Sequence, residues 1–542
     1  MKQISLILAL VFSFISNAQQ PADLILYNGT IYKVDDQFST CTAVAIRNHK
    51  IIATGSTNEI TSKYFSKNKL DLHGKFAYPG LIDAHAHFYR YGLGLQTADL
   101  YGIHSWEETV ARLQQFASTH AEGWLLGRGW DQNLWTNKEF PDRALLDQLF
   151  PDRPVVLTRV DGHAVIANAK ALELAGIKQG TTLTGGKIEE KNGKLTGVLI
   201  DNATDLVYRY VPEPTIKQSA ASLLQGQENC FAVGLTTVDD CGLDYPTVLF
   251  IDSLQKTGQL KMRIYAMLSD RTENYNFLFK RGRIKTNHLN VRSFKVYADG
   301  ALGSRGACLL APYSDKPEWS GFLLSSQKHF DSVANIIYQH GFQMCTHAIG
   351  DSGNRTMLKI YAKYLKKQND LRWRIEHAQV INLQDFSLFR NYSIVPSVQP
   401  THATSDMKWA VDRLGKERMK GAYAYKDLLD QNHWIPLGTD FPIEDISPLK
   451  TFYAAVVRKD ITGYPEQGFQ MENALSRKET MRGMTIWAAK ANFEENEKGS
   501  IENGKFADIV VLDQNLMTTN EKQILQTKVL MTILNGSIVY KK

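Results

Sequence analysis

The chain has 542 residues, 43% of them hydrophobic and 10% aromatic, which excludes a disordered or fibrous polymer and supplies large buried cores. Its 62 basic and 56 acidic residues leave +6, too mild an excess over this length to indicate a nucleic-acid partner. The short lysine runs near 363–367 and 541–542 read as solvated surface.

Met1-Lys2-Gln3 opens the chain, an apolar run covers 4–15, and Ser16-Asn17-Ala18 follows. A basic start, an apolar stretch too short to span a bilayer and small residues at −3 and −1 predict a secretory signal peptide cut after Ala18. The expected location is periplasmic or secreted, with no later membrane span. The five cysteines are odd in number and contain no CxxC, so they read as small core residues.

Residues 22–78 read as strands and hairpins, with a turn at Asn28-Gly29. The far C-terminus repeats this style, and Asn535-Gly536 through Tyr540 echoes Asn28–Tyr32. The expectation is one composite β-sandwich from 19–78 and 499–542, bracketing a central domain at 79–498. That domain alternates β-rich runs with helical stretches, which predicts an α/β fold, a (β/α)8 TIM-like barrel. Its eight candidate strands are 81–84, 235–238, 262–268, 291–296, 342–346, 373–376, 393–397 and 434–437. Residues 99–200 exceed that count and read as an inserted α/β subdomain with strands near 124–127 and 155–159 and a hairpin at 186–198. The stretch 406–425 reads as a mobile flap.

The run Pro79-Gly80-Leu81-Ile82-Asp83-Ala84-His85-Ala86-His87 ends an apolar strand in two histidines. Positions i and i+2 of a strand share a face, so both imidazoles point into one interior, where neutral imidazole is a metal ligand. Three more candidate strands end in His347, His377 and Asp440. In a parallel barrel, strand ends of one sense share the face on which active sites are built. A fifth strand carries Lys295. An ammonium cannot bind a metal, but a buried lysine with a lowered pKa can take up carbon dioxide and become an anionic carbamate that bridges two cations. The alternative is a pair between Lys295 and Asp299.

The ordered set "DAHAHF", "KVYADGALGSR", "THAIGD", "IEHAQ" and "GTDFP" resembles the amidohydrolase superfamily. It is most similar to amidohydrolase family 3, in the branch of N-substituted formamide deformylase-like proteins. The resemblance implies two divalent ions, zinc by default. His85 and His87 would hold one with Asp440, His347 and His377 the other, and carboxylated Lys295 would bridge both. It further implies a hydroxide shared by the ions as nucleophile, Asp440 as proton carrier, and cleavage of an amide-type C–N bond of a small N-acyl or N-formyl amine.

Softer substrate-binding candidates are Trp130, Asp131 and His163 in the insert, Asp299 and Arg305 after the Lys295 strand, and Gln399 with His402. The tryptophans Trp124, Trp130 and Trp135 hint at an apolar or aromatic N-substituent. A one-metal deaminase of the same superfamily is the first alternative, but His347 lacks the glutamate three residues on and Lys295 has no role there. A catalytically inactive periplasmic binding protein is the second. A homodimer is compatible with either.

Overall fold

A computed structural model of the protein describes residues 19–120 and 122–542; the signal-peptide segment lies outside the described residues. Seven parallel strands stand side by side in chain order: β1 (Leu81–Ala86), β2 (Leu235–Leu243), β3 (Arg263–Ser269), β4 (Leu289–Tyr297), β5 (Gln343–Ala348), β6 (Arg374–His377) and β7 (Val395–Ser397). Helices connect most of them. One is Ile216–Ala232, whose start is fixed by a reciprocal cap between Thr215 and Gln218. Every residue of β1 and β5 is buried, as expected for parallel strands covered outside by helices and filled inside by side chains.

The eighth strand is where the expectation and the structure part. Residues 434–440 occupy its place without forming regular strand. Ala84 N–H donates to the Leu437 carbonyl at 3.2 Å, Asp440 N–H donates to the His85 carbonyl at 2.8 Å, and Gly438 N–H donates to the Val398 carbonyl at 3.1 Å. Pro436 has no N–H for a ladder, and Leu437 N–H is spent on Gly483 at 3.0 Å. The barrel is thus bridged by scattered bonds to both neighbours.

The two chain ends build one unit, but it is a single sheet of eight strands. Along its length lie Ser537–Lys541, Val529–Leu534, Ile509–Leu512, Phe76–Pro79, Leu24–Tyr32, Thr40–Arg47 and Lys50–Gly55, with Lys69–Asp71 paired to Leu24–Tyr32. The edge strand returns to 504–507, where Ile51 N–H donates to Lys505 at 2.9 Å and Ala507 N–H to His49 at 2.9 Å. Curling onto its own edge, rather than facing a second sheet, is how it encloses Leu26, Val44, Ile46, Ile509 and Ile533. Arg263 on β3 docks this sheet through Asp508, with Nε 2.7 Å and Nη2 3.0 Å from the two carboxylate oxygens.

Between β1 and β2 a six-stranded sheet is inserted. Its order is Gly186–Lys191, Lys194–Asp201, Ala164–Ala167, Val155–Arg159, Leu125–Trp130 and Ala98–Asp99. Residues 406–425 are largely helical (Ala410–Met419, with a bend at Gly415). Arg418 donates to the carbonyls of Ala311 and Pro312, each at 2.8 Å, which ties this segment to the loop after β4. No helix among the described residues is long and apolar enough to cross a membrane.

Candidate metal centre

The C-terminal ends of β1, β4, β5 and β6 and the loop at 440 bring six side chains together. Alternation delivers His85 from β1, Lys295 from β4 and His347 from β5; the register sets Lys295 beside Cys345 and Tyr297 beside His347. His377 and Asp440 arrive differently. Both leave extended backbone, at φ 73° and 66°, which turns each side chain inward where strict alternation would not.

His85 Nε2 lies 3.2 Å from Lys295 Nζ and 3.6 Å from Asp440 Oδ1, and His87 Nε2 lies 3.3 Å from the same Oδ1. The rings of His347 and His377 pack at 4.6 Å between centroids, as do those of His85 and His377. Donor atoms of His85, His377 and Asp440 fall within 4.8 Å of one another. His347 Nε2 and Asp440 Oδ1 are buried with no hydrogen-bond partner. Stranding a buried polar atom costs about 1–3 kcal/mol, so two in one cluster mark a place built for something else to fill.

The electrostatics suit a cation. Burial holds His87 near a pKa of about 3 and places His347 and His377 well below the usual imidazole value, so their nitrogens keep lone pairs at neutral pH. For His347 the charge of Lys295 adds to desolvation. Desolvation alone would raise Asp440, but the hydrogen bond from His402 leads the neighbouring influences that outweigh it and hold the carboxyl well below its usual value.

The neighbouring groups fix the donors. His85 Nδ1 donates to Glu376 Oε2 at 2.5 Å, His87 Nδ1 to the Cys241 carbonyl at 2.9 Å, and His377 Nδ1 to Gln399 Oε1 at 2.8 Å. Each ring is therefore held in one orientation with its other nitrogen turned to the cluster, that of His85 meeting Lys295 Nζ at 3.2 Å. Beneath Glu376 lies a buried chain of charge: Arg374 Nε is 2.6 Å from Glu376 Oε1, Arg374 Nη1 donates to Asp239 at 2.9 Å, and Asn492 donates to Asp239 at 2.6 Å. On the other side His402 Nε2 donates to Asp440 Oδ2 at 3.1 Å and its Nδ1 is 3.3 Å from Glu444.

Several sequence expectations are corrected. Trp130 is wholly buried in the insert core, its indole N–H bonded to the Leu157 carbonyl at 2.8 Å, and Trp135 packs 6.1 Å from it. Trp124 packs against a second cluster of the insert, so all three tryptophans serve its packing and do not carry the hint of an apolar or aromatic N-substituent. Asp131 is taken by Arg159 at 2.5 Å, and Arg305 pairs with Asp315 at 3.0 Å. Asp299 does not pair with Lys295. Its oxygens accept the N–H groups of Cys308, Ile349 and Gly350 at 2.8–3.0 Å, which ties the loop after β4 to that after β5. Gln399 orients His377 from a buried position. His163 does reach the centre: its ring lies 5.0 Å from that of His347, and its Nδ1 donates to Asp201 at 2.7 Å.

Lys295 also departs from expectation. Burial lowers its pKa, but its surroundings, the Glu376 and Asp440 carboxylates among them, outweigh that and raise it. Among the described residues no carboxylate lies within ion-pair distance of its Nζ.

Glu376, Arg374, Asp239 and Asp201 were not foreseen. The first two could have been: Arg374 and Glu376 alternate on a strand otherwise fit for burial, and buried charges at i and i+2 must find partners inside.

Residues 69–540 match the amidohydrolase family. The chain belongs to that family. This amidohydrolase is 31% identical over 541 residues to the protein LONG AFTER FAR-RED 3 of Arabidopsis thaliana, covering 96% of this chain and 92% of that one. It is 24% identical to the N-substituted formamide deformylase of Arthrobacter pascens, covering 96% and 99%. Among solved structures it resembles an uncharacterized metal-dependent hydrolase of Pyrococcus horikoshii, with a TM-score of 0.75, 27% identity, and coverage of 92% and 99%. Family and neighbours together support metal-dependent hydrolysis as the activity.

Proposed function

We propose that this amidohydrolase cleaves an amide-type C–N bond of a small N-acyl or N-formyl amine, with divalent ions held by His85, His87, Lys295, His347, His377 and Asp440. The observation that carries the reading is the pair of buried, partnerless atoms, His347 Nε2 and Asp440 Oδ1, in a cluster where donor atoms of His85, His377 and Asp440 fall within 4.8 Å of one another. Ions bound there, zinc or a similar metal, would acidify water and polarise a carbonyl. Two ions need an anionic bridge, and a carbamate on Lys295 supplies one.

The protein's own part is proton handling and orientation. Water adds to the carbonyl carbon, forming a C–O bond, and Asp440 Oδ1 accepts its proton. The C–N bond then breaks, and the same proton passes from Asp440 to the leaving nitrogen, so charge and atoms balance. His402, hydrogen-bonded to Oδ2 and backed by Glu444, keeps the carboxylate from rotating. Glu376, Cys241 and Gln399 hold the imidazoles. The leader-like start adds export to the periplasm or medium to this proposal.

The test is the metal-loaded full chain on a panel of N-formyl and N-acyl amines, esters and amino-heterocycles, with release of amine, alcohol and ammonia followed separately. Amine release that a chelator abolishes supports the reading. Ammonia from heterocycles alone would assign a deaminase, and metal binding without any turnover would assign a binding protein.

A further inference from the structure

The end of the barrel away from the metal centre carries a cavity of about 180 Å³. It opens where the chain enters neighbouring barrel segments. Arg372 stands two residues before β6, Ser393 two residues before β7, and Trp434 at the start of the irregular eighth stretch. Arg390 on the helix Phe386–Asn391, Lys490 on the helix Ile486–Ala491, and His433 extend the wall. His377 and Asp440 lie at the opposite ends of β6 and of the eighth stretch, so a small ligand here does not reach the metal centre.

The walls are fixed by hydrogen bonds. Asn369 donates its backbone N–H to Ser393 Oγ at 3.3 Å and its side-chain amide to the Tyr392 carbonyl at 2.8 Å, which ties the approach to β6 to the approach to β7. Arg372 donates to the Lys490 carbonyl, and Asn432 donates to the Trp434 carbonyl at 2.6 Å. The Lys490 ammonium lies 4.4 Å from the centre of the Trp434 ring, a cation–π contact that holds it against the indole.

The charge is one-sided. Asp370 and Glu495 are both spent on Arg372, whose Nε is 2.7 Å from Asp370 and whose Nη2 is 2.8 Å from Glu495. Among the described residues no carboxylate lies within ion-pair distance of the exposed Arg390 or the half-buried Lys490, and neither side chain donates a hydrogen bond. The Ser393 hydroxyl accepts from Asn369 and keeps its own proton to give. The space is below the roughly 300 Å³ at which pockets for organic ligands begin. Two cations without an anion, a hydroxyl donor and an indole wall around so small a space fit a compact dianion.

We propose that this cavity binds a phosphate group between Arg390 and Lys490, either inorganic phosphate or the phosphoryl end of a small monoester. Bound there, it links the helix before β7 to the helix beside Trp434 and braces the eighth stretch, which lacks a regular ladder. The inference rests on neither the metal ions nor the hydrolytic reading.

Thermal unfolding and titration calorimetry of the metal-loaded full chain test it, with inorganic phosphate, glycerol 3-phosphate and acetate as probes at constant ionic strength. Both phosphates are expected to bind saturably and raise the melting temperature, because a ligand of the folded state alone stabilises it. Acetate is expected to do neither. R390Q and K490Q should each weaken phosphate binding roughly tenfold to a hundredfold, the scale of a charged hydrogen bond, and R390K should retain part of it. The double variant should lose the melting shift at unchanged metal content and circular dichroism. Phosphate that met the metal ions, or that acted only as a salt excluded from the surface, would still shift the double variant, and that result overturns the site. Equal effects of acetate and phosphate, or no shift at all, overturn it too. Tighter binding of glycerol 3-phosphate assigns the site to a monoester, and the reverse order assigns it to the free ion.

Discussion

Glu376 and His85, far apart in sequence, meet at the centre of the barrel: the imidazole Nδ1 donates to the carboxylate at 2.5 Å, and neither side chain touches solvent. The bond fixes which nitrogen of His85 faces Lys295 and Asp440. Arg374 in turn neutralises Glu376 and is itself bound by Asp239, so one candidate metal ligand depends on a buried chain of four charged or ionisable groups.

Glu376→Gln keeps the shape and removes the charge. Metal affinity is expected to fall roughly tenfold to a hundredfold, as when partners of a ligating histidine are lost elsewhere. Stability should drop too, because Arg374 is left with Asp239 alone; breaking a buried pair costs about 3–5 kcal/mol. Metal titration and thermal unfolding read the two effects. A variant with unchanged metal affinity would show that the bond serves folding only.

Asp440→Asn should leave the fold intact and lower turnover by roughly a hundredfold to ten-thousandfold, the usual worth of a positioned proton acceptor. Asn cannot take a proton from water, and it also weakens the bond from His402. Rates on an active N-acyl substrate, with circular dichroism as the folding control, check this. A variant within threefold of the parent would remove Asp440 from the proton path.

Lys295 is favoured as an ammonium by the Glu376 and Asp440 carboxylates around it despite its burial. Carboxylation should therefore accompany metal loading and not precede it, since cations nearby disfavour the ammonium form. Protein loaded under labelled carbon dioxide is expected to show a carbamate carbon by NMR only when metal is present, and Lys295→Ala to show none. A carbamate signal in metal-free protein would contradict the expectation.

Asp508 ties the terminal sheet to β3 through Arg263. Desolvation opposes its ionisation, but the Arg263 charge and hydrogen bonds, the Asn535 N–H and Lys498 prevail and depress its pKa. A depressed folded pKa means stability that is complete above the unfolded value of about 3.9 and lost as pH falls through the lower folded value. Asp508→Asn should lower the melting temperature at pH 7, and the gap to the parent should close in acid. Arg263→Met is expected to destabilise at neutral pH as well, because it strands a buried carboxylate. A gap that persists at pH 2 would assign the loss to packing alone.

Much of this protein was legible one residue at a time. A run such as 81–87 is apolar and ends in two histidines, so it dictates both a buried strand and two donors at its exit. The ordered motifs then name the family, because strand ends in a parallel barrel share a face whatever the loops do. Strand pairing in that sheet follows chain order, so its seven parallel strands could be placed from the order of the apolar runs. What the sequence could not give are facts of long-range geometry. That His377 and Asp440 turn inward depends on positive φ angles imposed by neighbours. That Trp130 is core depends on how the inserted sheet packs. That Glu376 holds His85, and that Asp299 serves backbone N–H groups and leaves Lys295 alone, depends on which of several reachable partners lies closest once the chain is folded. Residue type and spacing fix what a side chain can do; only the packed interior, by burying some partners and stranding others, decides which of those options it uses.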